Sequence, residues 1–329
     1  MITLLYPALA ILIGFALLIW SADKFVLGAS NTARSFSISP LIVGVVIVGL
    51  GTSAPEMLVS AMAAADGNTG LSIGNAIGSN ITNVGLMLGI TALFYPLQIH
   101  SKLLKREMPV LLAIIFLSYF LLWDQYLSFF DGLLLIILMF AMLAFTVWEA
   151  KSHGEDELPQ EILDEMPEEI SKGAALKWLI VGIVILIASS RILVWGAVEV
   201  AEYFQVSDLI IGLTIVAIGT SLPELAATVA AARKKEFDLA VGNIIGSNIF
   251  NILGVMALPG LISPDSFDIE VLTRDYPVMI GLIIALIIFS VAWRKGQTGR
   301  LGRFEGALLL TGYIGYMFWL FHDLSNTVI

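Results

Sequence analysis

Two copies of one short motif place a carboxylate inside long apolar segments. Glu56 ends the sequence Gly-Thr-Ser-Ala-Pro-Glu, and Glu224 ends the sequence Gly-Thr-Ser-Leu-Pro-Glu. A charged side chain at the centre of a membrane span costs roughly 2.5–3.5 kcal/mol, so such residues are rare and mark functional sites. The proline of the motif has no N–H and leaves a helical carbonyl without its usual donor. Carboxylate, hydroxyl and carbonyl oxygens together are the ligands that a hard cation such as Ca2+ prefers.

A second repeated motif supplies further oxygen atoms. The ten-residue stretches 74–83 and 242–251 are identical at eight positions. In each stretch a serine and an asparagine stand four residues apart and therefore share one helix face. We expect these four side chains to be a second set of ligands: Ser79, Asn83, Ser247 and Asn251. The other asparagines are expected to satisfy backbone groups where helices break: Asn75, Asn80, Asn243 and Asn248.

Both motifs recur at one constant offset of 168 residues, which indicates an internal repeat. Ten apolar segments are long enough to span a bilayer. They cover roughly 3–35, 40–64, 71–95, 108–123, 128–149, 176–203, 208–232, 239–262, 276–293 and 303–322. Each half holds five spans, an odd number, so the second half must enter the membrane inverted. Inverted repeats with interrupted helices are typical of secondary transporters that bind their substrate at the midplane. The two Glu should then face each other.

The composition predicts an all-α polytopic membrane protein. Of 329 residues, 58% are hydrophobic and only 13% are charged, whereas soluble domains carry about 25% charged residues. The apolar runs do not alternate as barrel strands do, which favours helices. The chain has no Cys and three widely separated His, which argues against thiolate or His-based metal sites. We expect no resident cofactor and no nucleic-acid partner.

The sequence divides into three parts, residues 1–150, 151–175 and 176–329. The first and last are the five-span repeats, and the middle one is an acidic linker without EF-hand spacing. With both termini outside, fifteen of the seventeen Lys and Arg residues fall on the cytoplasmic side. The positive-inside rule therefore predicts outside termini and a cytoplasmic linker.

The repeated Gly-Thr-Ser-x-Pro-Glu and Gly-Asn-x-Ile-Gly-Ser-Asn motifs resemble the Ca2+/cation antiporter superfamily, specifically its prokaryotic Na+/Ca2+ exchangers. The resemblance implies ten helices, four ion subsites and exchange of several Na+ for one Ca2+. It also implies alternating access with sliding of the first and sixth helices, and a prokaryotic cell (inner) membrane location. The implied side-chain ligands are Thr52, Ser53, Glu56, Ser79, Asn83, Thr220, Ser221, Glu224, Ser247 and Asn251. The backbone carbonyls of Gly49 and Ala217 are implied as well.

One position departs from part of that family. Many relatives carry Asp where this chain has Asn251, so the formal charge of the site is −2 here. K+-dependent Na+/Ca2+ exchange and Ca2+/H+ exchange are therefore alternatives to plain Na+/Ca2+ antiport. A cation channel built on acidic rings is a further alternative. An intramembrane enzyme is disfavoured because the sequence offers no nucleophile–base set.

Overall fold

The computed structural model describes residues 2–35, 53–99, 101–152, 168–235, 237–290 and 299–327. This part of the chain is mostly helical, which confirms the predicted class. In chain order the helices are α1 (Ile2–Ser35), α2 (Ala54–Ala65), α3 (Thr69–Phe94), α4 (Ser101–Leu121), α5 (Phe129–Ser152), α6 (Lys172–Phe204), α7 (Asp208–Thr220), α8 (Leu222–Lys234), α9 (Phe237–Phe250, continued by Asn251–Val255 and Ala257–Ile262), α10 (Val271–Ser290) and α11 (Arg303–Thr327).

Seven of the described helices are long and apolar enough to cross a membrane, and the bent pair α7–α8 would be an eighth. Two further predicted spans correspond to shorter apolar helices, Ala54–Ala65 and Glu107–Leu121. Most of the second predicted span, residues 40–52, lies outside the described residues.

The helix interruption expected at the Gly-Thr-Ser-x-Pro-Glu motif is present in the second half. α7 ends at Thr220 and α8 begins at Leu222, with 43° between them. Pro223 lies in the first turn of α8, where its missing N–H breaks no helical hydrogen bond. In the first half, α2 begins directly after Ser53. The motif therefore starts a helix in each half and places its glutamate in the first turn.

Wider π-helical turns interrupt four of the helices, a feature that the sequence did not predict. They cover Asn83–Leu88 in α3, Gly212–Val216 in α7, Asn251–Val255 in α9 and Val271–Asp275 in α10. Such turns are rare in proteins overall, and those that occur are often found at functional sites. Two of them begin at the asparagines expected to be ligands.

Helices α1 and α6 lie antiparallel and touch through glycines. A Cβ on Gly14 would lie 3.1 Å from the Cβ of Leu193, and a Cβ on Gly182 would lie 2.6 Å from the backbone nitrogen of Phe25. A Cβ on Gly28 would lie closer still to the backbone of Leu179. Small residues at these positions let two helical backbones approach each other in a membrane.

Two very small antiparallel sheets connect loops of the two halves. β1 (Leu97–Ile99) pairs with β4 (Gly299–Leu301), and β2 (Tyr126–Leu127) pairs with β3 (Asp265–Ser266). In the first sheet Leu97 stands opposite Leu301, and both side chains are buried. The sequence analysis did not predict these strands because their apolar runs are only two or three residues long.

Candidate ion-binding site

Glu56 and Glu224 lie in the first turns of α2 and α8, and both side chains are completely buried. The positive end of a helix dipole favours a carboxylate in the first turn. The two other fully or almost fully buried charges among the described residues, Arg274 and Asp275, pair with each other at 2.7 Å. No described basic residue pairs with either glutamate. When ionised, the two carboxylates therefore have no counter-charge among the described basic residues.

Serine hydroxyls connect the two carboxylates. Ser221 donates a hydrogen bond to Oε1 of Glu56 at 3.1 Å, and Ser247 donates one to Oε1 of Glu224 at 3.3 Å. The hydroxyls of Ser53 and Ser247 lie 3.4 Å apart. Because Ser53 precedes Glu56 by three residues and Ser221 precedes Glu224 by three, these contacts form one closed ring between the halves.

Several buried oxygen atoms around this ring have no hydrogen-bond partner among the described residues. They are Oε2 of Glu56, Oε2 of Glu224, Oγ of Ser79, Oδ1 of Asn83 and Oδ1 of Asn251. An unsatisfied buried polar group costs about 1–3 kcal/mol. A cluster of oxygen acceptors that lacks donors is stabilised by a metal cation, and Ca2+ takes six to eight oxygen ligands.

Thr220 and Ala217 from the predicted ligand set are also buried. The hydroxyl of Thr220 donates to the carbonyl of Val216 at 3.0 Å and lies 3.2 Å from Oδ1 of Asn75. The carbonyl of Ala217 accepts the N–H of Ser221 at 3.2 Å. The hydroxyl oxygen of Thr220 accepts no described hydrogen bond, whereas the carbonyl of Ala217 also lies 3.5 Å from that hydroxyl. Thr52 and Gly49 lie outside the described residues.

Three of the four other asparagines satisfy backbone carbonyls, as expected: Asn80, which donates to the carbonyl of Asn248 at 3.2 Å, and the equivalent pair Asn75 and Asn243. Nδ2 of Asn75 donates to the carbonyl of Glu56 at 3.1 Å, and Nδ2 of Asn243 donates to the carbonyl of Glu224 at 3.4 Å. Each amide also donates to a hydroxyl, that of Ser60 at 2.9 Å or that of Thr228 at 3.1 Å. These bonds attach the start of each glutamate helix to the following helix.

A family model described as sodium/calcium exchanger protein matches residues 6–148 and 174–322. The chain belongs to the sodium/calcium exchanger family. Inner membrane protein YrbG of Escherichia coli is 42% identical over 316 residues, covering 94% of this chain and 96% of that protein. Sodium/calcium exchanger MaX1 of Methanosarcina acetivorans is 31% identical over 349 residues, covering 95% and 98%. A solved structure of the sodium-calcium exchanger NCX_Mj matches with a TM-score of 0.61 and 32% identity, covering 95% of this chain and 98% of that chain.

In this member of the exchanger family, two asparagines have a role that the sequence analysis missed. Nδ2 of Asn83 donates to Oδ1 of Asn248 at 3.0 Å, and Nδ2 of Asn251 donates to Oδ1 of Asn80 at 3.1 Å. Both bonds cross from one half of the exchanger to the other. The repetition of asparagine at one offset marked Asn80 and Asn248, but the sequence does not say which side chain each contacts.

One ion pair of this exchanger-family chain lies away from the glutamates. Arg191 of α6 contacts the carboxylate of Asp66, the residue that follows the last residue of α2. The contact links α6 to the helix that carries Glu56.

Proposed function

We propose that this protein is a secondary antiporter that exchanges Na+ for Ca2+ at a midplane site built on Glu56 and Glu224. The observation that carries the proposal is the pair of buried carboxylates, each with one oxygen that has no hydrogen-bond partner among the described residues. Family membership supports the choice of Na+ and Ca2+ as transported ions. The chain is proposed to be a transporter and not an enzyme.

The chemistry of the proposed site fits either one divalent cation or Na+ ions in its place. Two ionised carboxylates give a formal charge of −2, which a single Ca2+ cancels. Na+ and Ca2+ are similar in size and both take oxygen ligands, so they compete for one cage. Mg2+ is smaller and holds its water tightly, so Ca2+ should be preferred to Mg2+.

The proposed ligand set is the one that the motifs supply twice. It comprises Thr52, Ser53, Glu56, Ser79, Asn83, Thr220, Ser221, Glu224, Ser247 and Asn251, with the carbonyls of Gly49 and Ala217. Support is strongest for the five residues whose buried oxygens have no described partner.

Ten spans in two inverted five-helix repeats, residues 1–150 and 176–329, are proposed as the architecture. The contacts between α1 and α6 support it. The pair Gly14 and Leu193 and the pair Phe25 and Gly182 are related by the 168-residue offset of the motifs. A self-matching antiparallel contact of this kind is what an inverted repeat produces.

Alternating access is proposed as the mechanism, with both termini outside and the linker 151–175 in the cytoplasm. A continuous pore is the competing possibility, because acidic side chains and backbone oxygens also build channel filters. Inverted repeats favour alternating gates over one pore.

Counter-ion dependence tests the proposal. Purified protein in proteoliposomes loaded with Na+ should accumulate radioactive Ca2+ from a Na+-free medium, and uptake should cease when Na+ is equal on both sides. Replacing internal Na+ by K+ or by a proton gradient tests the two alternative exchangers. Ca2+ uptake that follows its own gradient without any counter-ion would contradict antiport and support a channel.

A further inference from the structure

We propose that Asn80 and Asn248 are positioning residues, each of which orients the ligand asparagine of the opposite half. Asn248 would hold Asn83, and Asn80 would hold Asn251, so that the carbonyl oxygen and not the amino group of each ligand amide faces the cations. This inference rests on the proposed ion site.

The orientation of the Asn80 amide is fixed by a backbone carbonyl group. Nδ2 of Asn80 lies 3.2 Å from the backbone carbonyl oxygen of Asn248, and a carbonyl oxygen can only accept. The amino group of Asn80 must therefore point at Asn248. Its Oδ1 then points elsewhere and accepts from Nδ2 of Asn251 at 3.1 Å. The orientation of the Asn251 amide follows, because its amino group faces Asn80.

The other ligand amide faces Asn248 in the corresponding way, but here the orienting residue has no backbone anchor, since Nδ2 of Asn248 has no partner among the described residues. Nδ2 of Asn83 donates to Oδ1 of Asn248 at 3.0 Å and lies 3.4 Å from Oγ of Ser247. With both amino groups engaged, Oδ1 of Asn83 and Oδ1 of Asn251 are left without a partner among the described residues. All four asparagines are completely buried, so water does not compete for these bonds.

The orientation matters because an amide presents opposite partial charges at its two ends. A carbonyl oxygen coordinates Ca2+ or Na+, whereas an NH2 group turned toward a cation repels it. Without an acceptor at position 80 or 248, the opposing ligand amide is free to rotate by half a turn. Partners that orient a metal ligand typically contribute 10–100-fold to metal affinity.

The crossing of the bonds gives the proposal a specific signature. If Asn248 acts through Asn83, then Asn248→Ala should weaken Ca2+ affinity about tenfold in the parent and have little further effect when Asn83 is already Ala. Coupling between Asn248→Ala and Asn251→Ala should be weaker than this, since no described hydrogen bond joins the two side chains. The same logic couples Asn80 to Asn251 and not to Asn83.

Double-mutant cycles on the full-length protein test this pattern. Ca2+ affinity is measured by calorimetric titration of purified protein, and thermal stability is recorded without cation for every variant. Asn243→Ala is the matched control, since it removes an amide of α9 that bonds to Glu224 and Thr228 and not to either ligand asparagine. It should couple to neither Asn83 nor Asn251.

The outcomes separate the positioning role from the site itself. Two results would overturn the positioning role. One is that the Asn248 and Asn83 substitutions have additive effects on Ca2+ affinity, and the other is that Asn248 couples equally to both ligand asparagines. If Asn83→Ala and Asn251→Ala themselves leave Ca2+ affinity unchanged, the proposed ion site fails at these residues. Should Asn248→Ala not fold, Asn248→Asp keeps an acceptor oxygen toward Asn83 and loses an amino group without a described partner, and the carboxyl group that it adds is present in both proteins of the comparison. Asn83→Ala should then cost as much in that variant as in the parent, and a smaller cost would overturn the proposal.

Discussion

The two halves of the ion site carry nearly the same residues and make different hydrogen bonds. Glu56 accepts from Ser221 of the opposite half, whereas Glu224 accepts from Ser247 of its own half. Ser79, the sequence equivalent of Ser247, has no partner among the described residues. Equivalent sequence therefore does not give equivalent contacts. Under alternating access, two inverted halves hold different conformations at any moment and exchange them during transport.

The largest effect is expected from substitutions that remove a carboxylate from either half. Glu56→Gln and Glu224→Gln should each abolish Na+-driven Ca2+ uptake into proteoliposomes, because both carboxylates neutralise one ion. The amide keeps the size of the side chain and one carbonyl oxygen, so insertion and folding should survive. Glu199→Gln, the same change at an exposed glutamate of α6, is the control and should leave uptake intact. Near-normal uptake by either buried-site variant would remove that residue from the site.

A smaller effect is expected from adding a charge to one half. Asn251→Asp is nearly isosteric, but it places a third carboxyl group beside two others and replaces the amino group that faces Asn80. Three buried carboxylates cannot all be ionised without additional positive charge. The variant should hold a proton or a monovalent cation together with Ca2+.

Na+-driven Ca2+ flux by the parent and by Asn251→Asp, measured against pH and with and without K+, checks this. The variant should become more pH-dependent or newly responsive to K+. Asn83→Asp, the equivalent change in the other half, is the matched comparison. Superimposable profiles for parent and Asn251→Asp would mean that Asn251 does not face the ions.

Single hydroxyl deletions should expose the asymmetry directly. Ser221→Ala removes a hydrogen bond to a carboxylate, a bond typically worth about 1.5–3 kcal/mol when its acceptor is charged. Ser79→Ala removes no described hydrogen bond. In the absence of cations, Ser221→Ala should therefore lower the melting temperature more than Ser79→Ala does. Equal melting temperatures for the two variants would mean that the asymmetry is not a property of the protein in solution.

The smallest effect is expected from the segment that joins the halves. The linker from 153 to 171 should be accessible from the cytoplasm and dispensable for basic exchange, since no proposed ligand lies in it. The chain has no Cys, so Glu161→Cys gives a single target for a membrane-impermeant thiol reagent. Labelling of intact cells from outside would reverse the proposed topology.

Much of the fold and the site was accessible from sequence because membranes impose strong rules. Buried carboxylates are costly, so Glu56 and Glu224 stood out. The motif that holds Ser79 and Asn83 recurs at the same offset as the glutamate motif, which indicated that the two motifs belong to one repeated unit. The proline of the Gly-Thr-Ser-Leu-Pro-Glu motif, Pro223, predicted the break before α8. These inferences needed only local chemistry and periodicity.

Other features depend on contacts between distant residues and could not be read from the chain. The crossing bonds of Asn80 and Asn248 depend on how α3 and α9 meet, and the pairing of Arg191 with Asp66 depends on how α6 packs beside α2. The π-helical turns arise where packing widens a helix, which composition does not encode. The two small sheets are too short to have a sequence signal.

The most direct test of a single site shared by both halves is calorimetric Ca2+ titration of four purified proteins: the parent, Glu56→Gln, Glu224→Gln and the double variant. The parent should bind Ca2+, and added Na+ should compete for the same site. A shared site predicts that each single variant loses Ca2+ binding as completely as the double variant does. If one single variant keeps the affinity of the parent, or if each keeps part of the bound Ca2+ and only the double variant loses all of it, the two glutamates do not bind one ion and the account is wrong.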